Sequence, residues 1–193
     1  MTSRAGRRAL PAALALAGAL AVPGCTGAVV GHASPAPVTL AGTQVASYPA
    51  GQAHTAAAVD YPETPPVGGQ HDPTWADCTG TVYDAPLRAE NAVHSLEHGA
   101  VWVTYDPAVA TAADVRTLTE LVSGRPGLML SPYPDQGVAV SLQAWDHQLQ
   151  VRSAADPRVA EFADLLVFHP DATPEPGATC ENPAFLVATG QPA

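Results

Sequence analysis

The chain has 193 residues, is 47% hydrophobic, and carries 18 acidic residues against eight basic ones, for a formal charge of −10. That balance excludes a nucleic-acid surface, whose phosphates demand a basic face, and argues against electrostatic docking on anionic lipid. The acid excess is accounted for by solubility.

Residues 1–24 read as an export signal. Arg4, Arg7 and Arg8 form a charged start, and "ALPAALALAGALAV" (9–22) an apolar run. The run is too short to span a membrane, which takes roughly 20 apolar residues. It ends at "VPGC", which resembles the lipobox of bacterial lipoproteins. Cys25 is then the expected acylated first residue of the mature chain, and ordinary signal cleavage, with Pro23 in the box, is the alternative. A lipoprotein cysteine carries more than one acyl chain, and a single one anchors only reversibly. The expected location is the outer face of the cytoplasmic membrane. The mature chain would hold 18 acidic residues against five arginines, a formal charge of −13.

Residues 25–58 are rich in Pro, Gly, Ala, Ser and Thr and poor in large apolar groups. They read as a tether that cannot offset its own chain entropy, with His32 and His54 solvated. Residues 59–185 are long enough for one domain with its own core, and 186–193 form a tail.

Within the domain, "DYPETPPVGGQHDPTWADC" (60–78) reads as irregular chain that wraps a core or builds a site, because it carries Tyr61, His71 and Trp75. "PLRAENAVHSLEHG" (86–99) reads as a helix from Pro86 to a stop at Gly99. "AVWVTYD" (100–106) is a strand. "TAADVRTLTELVSG" (111–124) is a helix capped by Thr111, with Val115, Leu118, Leu121 and Val122 at helical spacing. "LMLSPY" (128–133) and "VAVSLQAWD" (138–146) are strands, expected to form a hairpin through "PDQG". "QLQVRS" (148–153) is a short strand, and "DPRVAEFADLLVFH" (156–169) a helix with Val159, Phe162, Ala163 and Leu166 on one face. The expected fold is α+β: one compact domain with a small, mainly antiparallel sheet, about three helices, and irregular Pro/Gly-rich ends.

Apart from Cys25, two cysteines remain. In an oxidising compartment Cys78 and Cys180 are expected to pair. The alternative, two thiolate ligands, lacks any CxxC spacing.

His94 and His98 can share a metal only on a helix, where i and i+4 lie on one face at roughly 5–6 Å between Cβ atoms. On a strand they would be about 13 Å apart, at roughly 3.3 Å per residue. A third ligand is needed, and His71 leads; His147, His169 and Met129 stand in reserve. Three imidazoles suit zinc or copper. The plain structural reading is equally available. Histidines in the last turn of a helix face the negative end of its dipole, and Glu90 pairs with His94 at i,i+4. "HSLEH" also fits the H-x-x-E-H zinc-peptidase pattern, with Glu97 as general base, but Gly99 ends the helix at once and the domain is short for a peptidase.

Together, "ETPPVGGQH", "VYDAPLRAENAVHSLEHGAVWVTYDP", "LSPYPDQGVAVSLQAWDHQL" and "PEPGATC" resemble the bacterial DUF3105 family of unknown function, over about residues 60–182. Members are typically exported or membrane-anchored. The resemblance places His71, His94 and His98 on the family's histidines and Cys78 and Cys180 on its cysteines. It implies no established activity. Gly69-Gln70 before His71, the longer "DCTGTVY" block, and Asp146-His147 in place of Gly and a basic residue depart from the pattern. The expectation is therefore an exported, lipid-anchored domain that binds zinc or copper through His71, His94 and His98, with Glu97 as an orienting partner or base. A non-catalytic envelope interaction module with structural histidines, and a small metallohydrolase using Glu97, are the alternatives.

Overall fold

The computed structural model describes residues 1–2, 37–40, 43–49 and 51–190. Cys25, His32 and all but the first two residues of the signal segment lie outside these residues. Among the described residues no helix is long and apolar enough to cross a membrane.

Among the described residues, ten strands and four helices follow in order: β1 Thr39–Leu40, β2 Thr43–Gln44, β3 Ala46–Ser47, β4 Gln52–His54, β5 Gly69–His71, β6 Thr81–Val82, α1 Ala89–Glu97, β7 Val101–Tyr105, α2 Ala112–Val122, β8 Leu128–Pro132, β9 Val140–Ala144, β10 His147–Val151, α3 Arg158–Leu166 and α4 Pro183–Thr189. The fold is α+β. Its six-stranded sheet has the order β3-β10-β9-β7-β8-β6. β7 and β6 each run parallel to β8, while β7–β9, β9–β10 and β10–β3 are antiparallel.

β7 is the centre of this sheet, which explains why "VWVTY" has no polar face. Val101 and Val103 enter one core with Leu128, Leu130, Leu142 and the apolar faces of α2 and α3. Trp102, between them, enters a second core with Leu96, Met129 and Trp145. Successive residues on a strand point to opposite faces, so the sheet is covered on both sides, with α1 against β7 on the second. Each enclosed Leu or Val contributes about 1.5–3 kcal/mol relative to exposure.

The expected hairpin between 128–133 and 138–146 does not form. β8 and β9 both pair with β7, which lies between them. The tight hairpin is β9–β10, turning at Asp146, whose φ is 60°. Turn residues mark where the chain reverses, but the central strand takes its neighbours by burial.

Thr111 caps α2 as expected. Its hydroxyl accepts from the Asp114 amide, and the Asp114 carboxylate accepts from the Thr111 amide in return. The same carboxylate accepts from the Ser153 hydroxyl and the Ala154 amide, tying α2 to the segment before α3. Gly99 stops α1 at φ 93°, and a Cβ there would lie 2.8 Å from the Thr173 hydroxyl oxygen, so no larger residue fits. Cys78 and Cys180 are joined as a disulfide across 102 positions.

The C-terminal part of the expected tether is not free chain. Ala46–Ser47 pairs with β10, and Gln52–His54 pairs with β5. Backbone hydrogen bonds hold these short strands, and Leu40 and Val45 of the same segment are buried in the main core.

Candidate functional site

The irregular segment after His71 runs along α1 and is bonded to it repeatedly. The Asp72 amide donates to the Glu90 carbonyl, the Ala76 amide to the Asn91 carbonyl, the Asn91 side chain to the Thr74 carbonyl, and the Ser95 hydroxyl to the Ala76 carbonyl. Arg88 pairs with Asp72 and Glu90 at the helix start. The Pro/Gly-rich chain thus spends its backbone groups on the helix, and that alignment brings His71 onto the helix's histidine face.

His71 ends β5 and is fully buried. β4 lies parallel to β5 with His54 in register with His71, and their ring centroids are 4.8 Å apart. The His54 ring stacks on His94 at 4.9 Å, and His71 meets His94 edge-on at 4.9 Å. Glu97 sits three residues beyond His94, on the same side of α1. Its Oε2 is 2.8 Å from His71 Nε2 and 3.7 Å from His54 Nε2. One donor atom from each of His54, His71, His94 and Glu97 lies within 4.8 Å of all the others.

The rings are held by their other nitrogen. Nδ1 of His71 donates to the Gly69 carbonyl at 2.8 Å, and Nδ1 of His94 to the Asp72 carbonyl at 2.6 Å. A carbonyl oxygen only accepts, so Nδ1 carries the proton and the lone pair of each neutral ring is on Nε2. Backbone anchoring of one imidazole nitrogen is how metal-ligating histidines are oriented.

The electrostatics of the group follow. Burial works against a charge on His71, but the hydrogen bonds to Glu97 and to the Gly69 carbonyl outweigh it, and its pKa is raised above 6.5. Burial also disfavours the Glu97 carboxylate, yet its bond to His71 and the neighbouring histidines outweigh this and hold its pKa below 4.5. Burial dominates at His94, aided by His98 and His71, and its pKa is lowered despite the Asp72 carbonyl. The site therefore holds a carboxylate, a ring that favours its proton, and a ring that resists one.

His98 does not join this group. Its Nδ1 donates to the Thr179 carbonyl at 2.8 Å, and its Nε2 lies 3.6 Å from Glu175 Oε2. It forms a second group with His94 and Glu175. Trp75 packs over both helix histidines, with ring centroids 5.8 Å from His94 and 5.1 Å from His98. A polar cleft of about 320 Å³ opens here, lined by Gln52, Ala53, His54, Glu97, Pro174 and Glu175.

Of the three expected ligands, His71 and His94 converge and His98 turns to other partners, because residues 174–180 lie against the last turn of α1. His54 is a correction: it is half-exposed and stacked in the site, not solvated on a tether. The reserves lie elsewhere. His147 is buried at the start of β10 with Nδ1 on the Trp145 carbonyl, Met129 is enclosed in the core with Trp102, and His169 lines a separate small cavity with His147 and Asp171. His54 and Glu175 were missed as site residues. Composition hid the first, and only its place beside "QH" across a two-strand pairing marks it; the second sits in the "PEPG" block that carried the family resemblance.

Comparison with curated proteins and with solved structures returns no match. A family model does match residues 52–182, a span that includes His54, Glu175 and both cysteines of the disulfide, and the chain belongs to that family, DUF3105, described as a protein of unknown function.

Proposed function

We propose that this chain is an exported, lipid-tethered envelope domain that binds a transition metal, zinc or copper, through His54, His71, His94 and Glu97. The observation that carries the reading is the convergence of three imidazoles and one carboxylate, with two of the rings aimed Nε2-first by backbone carbonyls. The donor set is nitrogen and oxygen, because the cysteines of the described region are spent in a disulfide and Met129 is remote. Such a set suits Zn(II) or Cu(II) and lacks the thiolate and thioether sulfur that selects Cu(I). The signal-like start and the cystine favour an extracytoplasmic setting.

Elemental analysis of full-length protein recovered from the cell envelope tests this. Wild type carries zinc or copper in at least stoichiometric amount, while His71→Ala and His94→Ala, folded by circular dichroism, carry clearly less. Negligible metal in all three leaves the interaction module. The hydrolase reading keeps a separate test: Glu97→Gln would have to abolish turnover in a protein that still holds metal.

A further inference from the structure

We infer that the site holds two divalent cations, the second bound by His94, His98 and Glu175. This rests on the metal-binding reading above and extends it to a two-ion centre.

Among the described residues six donors fall into two groups, and His94 belongs to both. The single lone pair on His94 Nε2 can serve only one ion at a time. With one ion present, His94 completes the set of His54, His71 and Glu97. With two, the donors divide evenly: His54, His71 and Glu97 keep the first ion, and His94, His98 and Glu175 take the second. Each ion then has two imidazoles and one carboxylate, the donor set of open metal sites that leave positions for water or substrate.

The second group has the geometry for this. His98 Nδ1 is committed to the Thr179 carbonyl, so its Nε2 lone pair is the one that faces Glu175 Oε2 at 3.6 Å. That gap is too long for a hydrogen bond. Two donors that share one ion at about 2.0–2.1 Å, at a tetrahedral angle, sit roughly 3.3–3.4 Å apart, so the separation is close to that of a ligand pair. Glu175 is held there by its own backbone, since its amide donates to the Glu97 carbonyl at 3.0 Å. The chain then reaches Thr179 and the disulfide at Cys180, and both ends of the segment are fastened to α1 or its surroundings. Half of the Glu175 side chain is exposed, and it lines the same cleft as His54 and Glu97, so two adjacent ions would share one solvent-facing opening, the arrangement in which paired metals clamp an oxygen ligand between them.

Calorimetric titration of metal-stripped full-length protein with Zn(II) at neutral pH, with bound metal counted after gel filtration, tests the second position. Wild type takes up two equivalents. Glu175→Gln, a change at a half-exposed loop residue, and His98→Ala each take up one, and His54→Ala also drops to one. One equivalent in wild type, unchanged by Glu175→Gln, overturns the two-ion centre and leaves the single site standing. No uptake in wild type overturns both. Cu(II) loading gives a check independent of stoichiometry: two ions in one cleft couple magnetically, and the doubly loaded wild type shows a coupled signal that Glu175→Gln lacks. An uncoupled, full-intensity signal from two bound Cu(II) ions places the second elsewhere and overturns the assignment.

Discussion

His71 Nε2 and Glu97 Oε2 stand 2.8 Å apart in an enclosed space, and the other nitrogen of the ring already donates to the Gly69 carbonyl. A lone pair facing a carboxylate oxygen at that distance is repulsive. The contact is attractive only with a cation in it, and that cation is a proton in the metal-free protein. The pair is thus a place where a metal and a proton compete.

Replacing Glu97 by Gln removes the charge that holds the His71 proton. Burial then weighs more, and the His71 pKa falls from its raised value. Ring-proton NMR titration of metal-free wild type and Glu97→Gln reads this directly; an unchanged His71 titration would show that Glu97 is not its charge partner. The raised His71 pKa means that its stabilisation of the metal-free fold is full below 6.5 and is lost as pH rises through the folded value. The lowered Glu97 pKa means the reverse: its contribution is present above 4.5 and is lost as pH falls through the folded value. Both act together between those two pH values, while His94, whose pKa is lowered, opposes the fold increasingly as pH falls below 6.5.

Asp114 gives an acid-side signature away from the site. Hydrogen bonds from Thr111, Ala154 and Ser153 hold its pKa far below 3.8. Its contribution is therefore complete above 3.8 and is lost as pH falls through the depressed folded value. Asp114→Ala removes the capping box and leaves the Ala154 amide without its acceptor, for an expected loss of about 2 kcal/mol. Urea denaturation of the variant at pH 7 checks the magnitude; a loss under about 0.5 kcal/mol would show that the bridge to residues 153–154 carries no weight.

The disulfide closes a loop of 102 positions. Cys78→Ala/Cys180→Ala is expected to lose roughly 2–5 kcal/mol of stability. The change also loosens the segment that supplies the Thr179 carbonyl to His98. Metal affinity at the Glu175 position should therefore fall more than at the His54 position, as a two-step binding isotherm would separate.

His147→Ala and Met129→Leu are the controls. Neither residue belongs to either donor group, so bound metal stays at the wild-type level in both. Met129→Leu, a nearly volume-conserving change in the core, costs under about 1.5 kcal/mol.

Much of the fold was legible in the chain because local patterns carried it. Thr111 and the spacing of Leu118 and Val122 marked α2, Gly99 marked the end of α1, and the apolar run around Trp102 marked β7. The helical spacing of His94 and His98 also put both rings on one side of α1. What stayed hidden was every relationship made across the sequence. The pairing of β7 with both β8 and β9, the short strand that sets His54 beside His71, and the docking of Glu175 on the last turn of α1 depend on long-range backbone hydrogen bonds. Such bonds leave no periodic trace in residue type. By itself the sequence determined the helix that offers two imidazoles, the two cysteines that close the domain and the acidic surface; tertiary structure alone decided which donors meet, because convergence is set by strand register and loop path, and these depend on what each segment is packed against.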